Sequence, residues 1–257
     1  MKITVLAENA ACREDLTPQH GLSLYIETNG KKILFDMGQD DTFAQNAKTL
    51  GIDLSQVDLA IISHGHYDHG GGLDTFLKIN SNAPVYVHEA AFGHHYNGTE
   101  KYIGLDPSFH NHSRLIFTKG TVEISPQILL TDCNDLGWIS NSFGLKRAEG
   151  EIFHNDGFLH EQYLQITEKQ RKILISGCSH KGIVNIARHF LPDVLIGGFH
   201  LNKVEESKEL EQIAQILKAA GGLYYTGHCT GMAQFEIMKQ IMGESLWNLS
   251  TGTVIQI

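Results

Sequence analysis

The residues of this chain best suited to chemistry lie within one short stretch, residues 63–72. It holds four good metal-binding side chains, His64, His66, Asp68 and His69, and ends in three consecutive glycines. A neutral imidazole offers a nitrogen lone pair and a carboxylate offers hard oxygens, a mixture that suits zinc, iron or manganese. His64 and His66 are spaced to reach one ion, whereas Asp68 and His69 lie past a turn and can reach a second ion nearby.

The surrounding elements favour a metal site over the alternative, a polar loop in a chain that has fifteen histidines. An apolar run at residues 57–62 reads as a buried strand that ends directly before the ligands. Histidine also follows glycine near the ends of later predicted strands, at His180, His200 and His228. Ligands at several strand ends along one rim are what a shared metal site requires, and the glycines leave room for a tight backbone and a substrate.

The rest of the chain reads as a mixture of strands and helices. Apolar, β-branched runs at residues 22–28 and 31–36 flank an Asn-Gly pair, which is a strong hairpin signal. A second hairpin is expected over residues 163–175, and residues 134–150 read as loop. Residues 205–220 have one apolar helical face, which we interpret as core rather than as a cofactor site.

Residues 92–113 differ from their surroundings, because they combine four histidines with several aromatic side chains and show no clear period. We interpret this segment as a lid-like insertion over the mouth of the site, where aromatic side chains would stack on a ring of the substrate. An irregular surface excursion is the alternative.

The composition indicates one α/β domain over residues 1–257, with enough chain for a sizeable core. The formal charge of −9 argues against non-specific nucleic-acid binding, which needs a basic surface, but allows a small anionic substrate at a metal centre. Four scattered cysteines without a Cys-x-x-Cys pair fit a reducing compartment. No stretch is long and apolar enough to span a membrane, so a cytoplasmic protein without membrane contact is expected.

The run His-x-His-x-Asp-His at residues 64–69 resembles the signature of the metallo-β-lactamase superfamily without a mismatch. The resemblance implies an αββα sandwich, in which two mixed sheets pack together and carry helices on their outer faces. It also implies a binuclear site at one edge that activates a water molecule for hydrolysis. Zinc is the expected metal, with iron or manganese as alternatives, and Asp68 would both hold an ion and accept a proton.

The same resemblance suggests the remaining ligands. His180 would be the third ligand of the first ion, and His228 would complete the second. The usual bridging aspartate is replaced by Cys178, so either its thiolate bridges the ions or no protein group does. His200 would contact the substrate or stabilise a leaving group, with a structural role as the alternative, and Asp36 would orient the metal-binding stretch.

Other members carry a ligand shortly before the strand that begins at Tyr163 here. His154, His160 and Glu161 occupy that part of the chain, and the sequence does not choose among them. Ordinary surface positions are the alternative for all three.

A narrower resemblance covers nearly the whole chain and points to one branch of the superfamily. That branch is described as resembling a dihydropterin-methyl-ribofuranosylaminobenzene-phosphate synthase of methanopterin biosynthesis. Besides the metal-binding stretch, the resemblance is carried by residues 6–9, 19–23, 34–38, 177–185, 197–201 and 226–231. The substrate would then carry an aromatic ring and a phosphate. By residue type, candidates to bind them are Phe92, Tyr96 and Trp138 for the ring, and Lys146, Arg147 or His200 for the phosphate.

The leading hypothesis is a metal-dependent hydrolase acting on a phosphoester or acyl bond of a small substrate, or a synthase or transferase variant of it. One alternative is a non-catalytic metal- or ligand-binding protein that keeps the fold but has lost the catalytic site, which the intact ligand set disfavours. A diiron redox protein is disfavoured, because such relatives have a glutamate where this chain has His66 and usually carry a flavin domain. The sequence is silent on the oligomeric state.

Overall fold

Two seven-stranded mixed sheets form the centre of the computed structural model, which describes residues 1–138 and 141–257. The first sheet has the spatial order β18 (Val254–Gln256), β1 (Lys2–Ala7), β2 (Ser23–Thr28), β3 (Lys31–Phe35), β4 (Leu59–Ile62), β5 (Val85–His88) and β8 (Leu115–Thr118). The second sheet has the order β17 (Leu246–Asn248), β16 (Leu223–Thr226), β15 (Val194–Ile196), β14 (Arg171–Ile175), β13 (Tyr163–Glu168), β10 (Ile128–Thr131) and β9 (Thr121–Ser125). Each sheet has an antiparallel part and a parallel part, and both predicted hairpins are present as β2–β3 and β13–β14.

The strands alternate between two hydrophobic layers because successive side chains point to opposite faces of a sheet. Ile33 and Phe35 of β3 face the layer between the sheets, where they meet Ile173 and Ile175 of β14. Leu34, between them in sequence, belongs to a separate core on the outer face of the first sheet. Strands buried on both faces read as nearly continuous apolar runs, which is how they are recognised in the sequence.

Helices cover both outer faces and complete an αββα sandwich, which confirms the predicted fold class. Their bounds are α1 (Thr42–Thr49), α2 (Tyr67–Gly70), α3 (Leu73–Ile79), α4 (Ile183–Phe190), α5 (Ser207–Ala220) and α6 (Met232–Met242). The apolar face of α5 packs against the second sheet through Leu210, Ala214 and Leu217, as expected for core. Within the described ranges, no helix has the length and apolar character needed to cross a bilayer.

A third sheet of four strands was not predicted. Its order is β12 (Ile152–Asn155), β11 (Leu145–Glu149), β6 (His94–Asn97) and β7 (Lys101–Tyr102). Residues 92–113 therefore supply two of its strands, and β11 corrects the loop expected over residues 134–150. These strands are short and mostly polar and lack an alternating apolar pattern, so the sequence carries no strand signal there. The action of residues 92–113 as a lid stays a prediction.

Candidate metal centre

The metal-binding stretch begins where β4 ends and lies between the carboxyl ends of strands from both large sheets. His64 and His180 meet across the gap between the sheets, with 3.3 Å between their Nε2 atoms. The His66 ring lies 4.5 Å from that of His64 and 5.0 Å from that of His180, centroid to centroid. All three rings are buried, so the structure gathers the three histidines that the resemblance assigns to the first ion.

A second group of donors lies beside the first. The Nε2 atoms of His69 and His228 are 3.2 Å apart, and Asp68 Oδ2 lies 3.4 Å from His228 Nε2. Cys178 Sγ is 3.2 Å from His69 Nε2, and it belongs to both donor groups. The structure thus brings Cys178 to the position between the two groups.

Hydrogen bonds set the tautomers of three of these rings. His64 Nδ1–H donates to Ser63 Oγ at 2.8 Å, because that hydroxyl gives its own proton to Asp36 Oδ2. His69 Nδ1–H donates to Asp36 Oδ2 at 2.6 Å, and His228 Nδ1–H donates to Asn9 Oδ1 at 3.2 Å. A neutral imidazole has one donor nitrogen and one acceptor nitrogen, so each of these rings in its neutral form presents an Nε2 lone pair to the centre.

This donor set fits divalent cations. Lone pairs that face each other at 3.2 Å, as on His69 and His228, repel unless a cation lies between them. Two nitrogens each about 2.0–2.1 Å from a tetrahedral ion lie about 3.3–3.4 Å apart, close to the donor separations seen in both groups. The chemistry and the spacing of the residues therefore agree with an ion in each group.

Electrostatics keep these donors in the form that binds a cation. Burial, followed by the neighbouring histidines, lowers the pKa of His64 and His180 well below the usual value, so both are neutral at pH 7. Burial alone would raise the pKa of Asp68, but the charge of His69 and the hydrogen bonds from His20 and His228 together outweigh it and hold that pKa well below its usual range. Burial raises the pKa of the Cys178 thiol, so a thiolate there needs a cation to stabilise it.

The backbone around the centre is held in an uncommon conformation. Asp36, Ser179, His200 and His228 each follow a strand end and have φ between +48° and +60°. Left-handed backbone is uncommon for residues other than glycine, and it collects at functional sites when the surroundings enforce it. At Gly177 a Cβ would overlap the Ser63 hydroxyl, so the strand end can approach the metal-binding stretch only without a side chain.

The donor groups open into a cleft of about 150 Å³. His66, Asp68, Cys178, His180, His200 and His228 line it. Both ring nitrogens of His200 are buried without a hydrogen-bond partner in the described part of the chain, and its ring lies 4.2 Å from that of His180. His200 therefore has its full hydrogen-bonding capacity free for a bound molecule.

The other residues proposed from residue type to bind substrate do not line this cleft. Phe92 and Arg147 line a separate cleft of about 470 Å³, and Arg147 pairs with Glu149. Trp138 packs with His189 on the helical side of the second sheet. The other two lie on the four-stranded sheet: Tyr96 packs against Tyr102 and Phe153, and Lys146 Nζ donates to Asn155 Oδ1.

Sequence reasoning missed several groups that do line the cleft. Lys101 and Lys203 bring positive charge, Tyr67 brings an aromatic ring, and His20 Nε2 lies 3.3 Å from Asp68 Oδ2. Lys101 belongs to the segment 92–113 that was marked as unusual. Lys203 follows shortly after His200, so position along the chain was the only available signal.

The three residues before β13 have separate roles. Glu161 accepts from the backbone N–H groups of His180 and Lys181 at 2.7 and 3.0 Å, which fixes the turn that carries His180. His160 is buried and its ring lies 5.2 Å from that of His66, whereas His154 is exposed on β12.

Comparison with known proteins gives the class of this chain. Residues 16–216 match the family model of the metallo-β-lactamase superfamily, and the chain belongs to that family. The fold and the position of the donor groups at one edge of the sandwich agree with this assignment.

Relatives of similar length are found within that class. The chain is 30% identical to the 7,8-dihydropterin-6-methyl-4-(β-D-ribofuranosyl)-aminobenzene-5'-phosphate synthase of Methanocaldococcus jannaschii, with 100% of this chain and 96% of the relative covered. It is also 30% identical to an uncharacterised protein of the same organism, with 93% and 94% covered. Among solved structures, Tm1679, a metal-dependent hydrolase of the β-lactamase superfamily, is 29% identical with a TM-score of 0.86, covering 100% and 99% of the two chains.

Proposed function

We propose that this protein is a metal-dependent hydrolase that uses two divalent ions, with zinc as the expected metal, to act on a small anionic substrate. The observation that carries the proposal is the orientation of His64, His69 and His228: hydrogen bonds at Nδ1 turn the Nε2 atom of each ring toward the two donor groups at the base of the cleft. Divalent ions held there would supply Lewis-acid activation of water and of the substrate oxygen under attack.

The chain's own groups would divide the remaining work. The Asp68 carboxylate faces the cleft beside His20 and would accept the proton of the attacking water and pass it to His20, which is half exposed. His200 faces the same space with both ring nitrogens free and would hydrogen-bond the leaving group. General acid–base assistance of this kind contributes about 10²- to 10⁴-fold in rate.

The charge of the cleft supports an anionic substrate, although the chain as a whole carries a formal charge of −9. Lys101 and Lys203 line the cleft, and neither forms an ion pair within the described residues. Lys203 Nζ donates to the Phe143 carbonyl at 2.7 Å, which leaves its charge uncompensated. A phosphate group fits this environment, and the Tyr67 ring would lie against an aromatic part of the same molecule.

A synthase acting on a phosphorylated aromatic ribofuranoside is the second candidate. It is favoured by the 30% identity over the whole chain to the M. jannaschii synthase. In that reaction Lys101 and Lys203 would bind the phosphate of the substrate while the metal-binding groups help a leaving group to depart.

The test combines metal content with turnover. Protein purified without chelator is analysed for bound metal and assayed with p-nitrophenyl phosphate, bis-p-nitrophenyl phosphate and p-nitrophenyl acetate. His64→Ala and His228→Ala are compared with His154→Ala, whose side chain is exposed on β12. We expect the wild type to bind two zinc ions per chain and each of the first two variants to lose about one. The His154→Ala control should keep both.

The outcomes separate the hypotheses. Hydrolysis that disappears with the metal supports the hydrolase, and activity only on a phosphorylated ribofuranosylaminobenzene supports the synthase. Full metal content without turnover of any of these compounds would leave a binding protein. Iron with oxidase or reductase activity would support the redox alternative, and a metal-free wild type would overturn the proposal.

A further inference from the structure

A second polar cluster lies beside His66. It consists of His95 on β6, Asp156 just after β12 and His160 just before β13, all of them buried. One nitrogen or oxygen of each of these residues and one nitrogen of His66 lie within 4.8 Å of one another. Burying four such groups is costly unless their hydrogen bonds are satisfied, so their partners need to be accounted for.

The partners of His160 and His95 set their tautomers. The Gly65 backbone N–H donates to His160 Nδ1 at 2.9 Å, so the proton of that neutral ring is on Nε2, which donates to Asp156 Oδ2 at 3.3 Å. His95 Nδ1–H donates to the same carboxylate oxygen at 2.8 Å. His95 Nε2 is therefore left with a lone pair, and it is buried with no hydrogen-bond partner in the described ranges.

His66 likewise has a ring nitrogen, Nε2, that is buried and lacks a hydrogen-bond partner in the part of the chain that the structure describes. When His66 binds an ion through Nδ1, its remaining proton is on Nε2 and needs an acceptor. Histidine ligands almost always give that second N–H to a fixed acceptor, which sets both the tautomer and the orientation of the ring.

We propose that His95, held by Asp156, accepts the Nε2–H of His66 and so positions His66 to bind the first ion through Nδ1. The inference rests on the proposed metal centre and extends it to residues of the four-stranded sheet. An additional metal ion in this cluster is the competing interpretation. It is disfavoured because His160 has no lone pair left and the Asp156 oxygen already accepts two protons.

Backbone contacts tie the same elements together. Tyr67 N–H donates to the Ile103 carbonyl at 2.9 Å, and Ile103 N–H donates to the His95 carbonyl at 2.8 Å. His66 itself forms an antiparallel bridge with Gly104. Backbone hydrogen bonds therefore hold residues 92–113 against the metal-binding stretch, so His95 is well placed to orient the His66 ring.

The experiment compares zinc binding in the full-length wild type with that in three variants, by competition with a chelating dye. His95→Leu removes the acceptor. His95→Gln keeps one, because its amide oxygen can accept from His66 while its NH₂ donates to Asp156. His94→Gln is the matched control, since His94 is the neighbouring residue of β6 but is exposed.

We expect His95→Leu to lower the affinity for one of the two zinc ions about 10- to 100-fold and to leave the affinity for the other unchanged. His95→Gln should regain most of that affinity, and His94→Gln should equal the wild type. The thermal midpoint of each metal-free variant shows whether a loss of affinity reflects global unfolding. NMR of the ¹⁵N-histidine-labelled, zinc-loaded wild type gives a readout that needs no variant, namely a protonated Nε2 on His66.

Each outcome decides something. Unchanged zinc affinity in folded His95→Leu, or a His66 that is not protonated on Nε2, would overturn this inference while leaving the metal centre intact. A third zinc ion in the wild type that His95→Leu removes would replace the inference with a metal site in the cluster. A wild type without any zinc would count against the proposed function itself.

Discussion

At the scale of residues, the centre is defined by hydrogen bonds that leave each imidazole one way to face. Asp36 organises two of the rings, because its Oδ2 accepts from His69 Nδ1 and from the Ser63 hydroxyl that holds His64. Its Oδ1 accepts the Ser63 N–H at 2.7 Å, so the carboxylate also fixes the backbone where β4 ends. Loss of this acceptor is therefore expected to misplace His64 and His69, although Asp36 is not itself one of the proposed metal ligands.

Asp36→Asn should remove the hydrogen bonds that orient the histidine rings without straining the backbone. Asparagine, like aspartate, tolerates the left-handed conformation found at this position. Its NH₂ group cannot accept both protons that Oδ2 accepts, so the His69 ring loses its anchor. We expect zinc affinity to fall about 10- to 100-fold, measured by dye competition. Asp15→Asn, at an exposed ion pair with Arg13, is the control, and equal affinity in the two variants would contradict this role.

The Sγ atom of Cys178 belongs to both donor groups. We expect the cobalt-loaded protein to show a thiolate-to-metal charge-transfer band that Cys178→Ser abolishes. Cys229→Ser should keep the band, because Cys229 is a buried neighbour whose Sγ contacts the Cys178 carbonyl at 3.6 Å. A band that persists in Cys178→Ser would mean that no thiolate of this residue binds the ions.

At the scale of elements, the four-stranded sheet supports the centre through packing as well as through hydrogen bonds. Phe158 is fully buried against Ile103, Leu145 and Tyr67. Its ring stacks on His180 at 4.4 Å with an interplanar angle of 7°. This contact joins the segment that follows β12 to His180, which lies just after β14 of the second large sheet.

Phe158→Ala should therefore affect both stability and metal binding. The cavity is expected to cost about 3–5 kcal/mol of unfolding free energy, and the unsupported His180 ring should bind its ion more weakly. Urea denaturation and zinc titration measure the two effects. Phe158→Leu keeps most of the volume and should lose much less, so similar losses in both variants would argue against a packing role.

At the scale of the whole molecule, the sandwich concentrates buried histidines where its two sheets meet. Burial makes the charged form of these rings unfavourable, and for His160 it lowers the pKa to about 4. In the unfolded chain the pKa of His160 is near its ordinary value of 6.5. Between about pH 4 and pH 6.5 the unfolded state therefore binds more protons at His160 than the folded state does. The contribution of His160 to the stability of the metal-free protein is therefore lost as the pH drops from about 6.5 to about 4.

His160→Gln isolates one share of this effect, since glutamine can still accept from Gly65 and donate to Asp156. Between pH 7 and pH 4 we expect the metal-free wild type to lose about 3 kcal/mol more unfolding free energy than the variant. Chemical denaturation at a series of pH values provides the measurement, with His154→Gln as the exposed control. Parallel curves for wild type and His160→Gln would refute the assigned pKa shift.

The sequence by itself determined the class of the protein and pointed to the residues that the structure gathers into two donor groups. Four of them are adjacent in residues 64–69, and the others follow strands whose apolar runs are buried on both faces. Such signals are local, because periodicity and spacing depend on neighbours in the chain. The hairpins and the amphipathic helix could be predicted for the same reason, whereas the αββα architecture was implied by the resemblance that residues 64–69 carry.

Only the tertiary structure decided which residues surround these ligands. His95 and Asp156 are 61 positions apart, and His69 and His228 are 159 apart. Strand pairing in the four-stranded sheet brings the first pair together, and the packing of the two large sheets brings the second pair together. Residue type placed Trp138 and Arg147 near the substrate, whereas the fold puts Lys101, Lys203 and Tyr67 in the cleft. The charge and the aromatic character of a side chain can be read from the sequence. Which side chains lie together in a binding site depends on long-range packing.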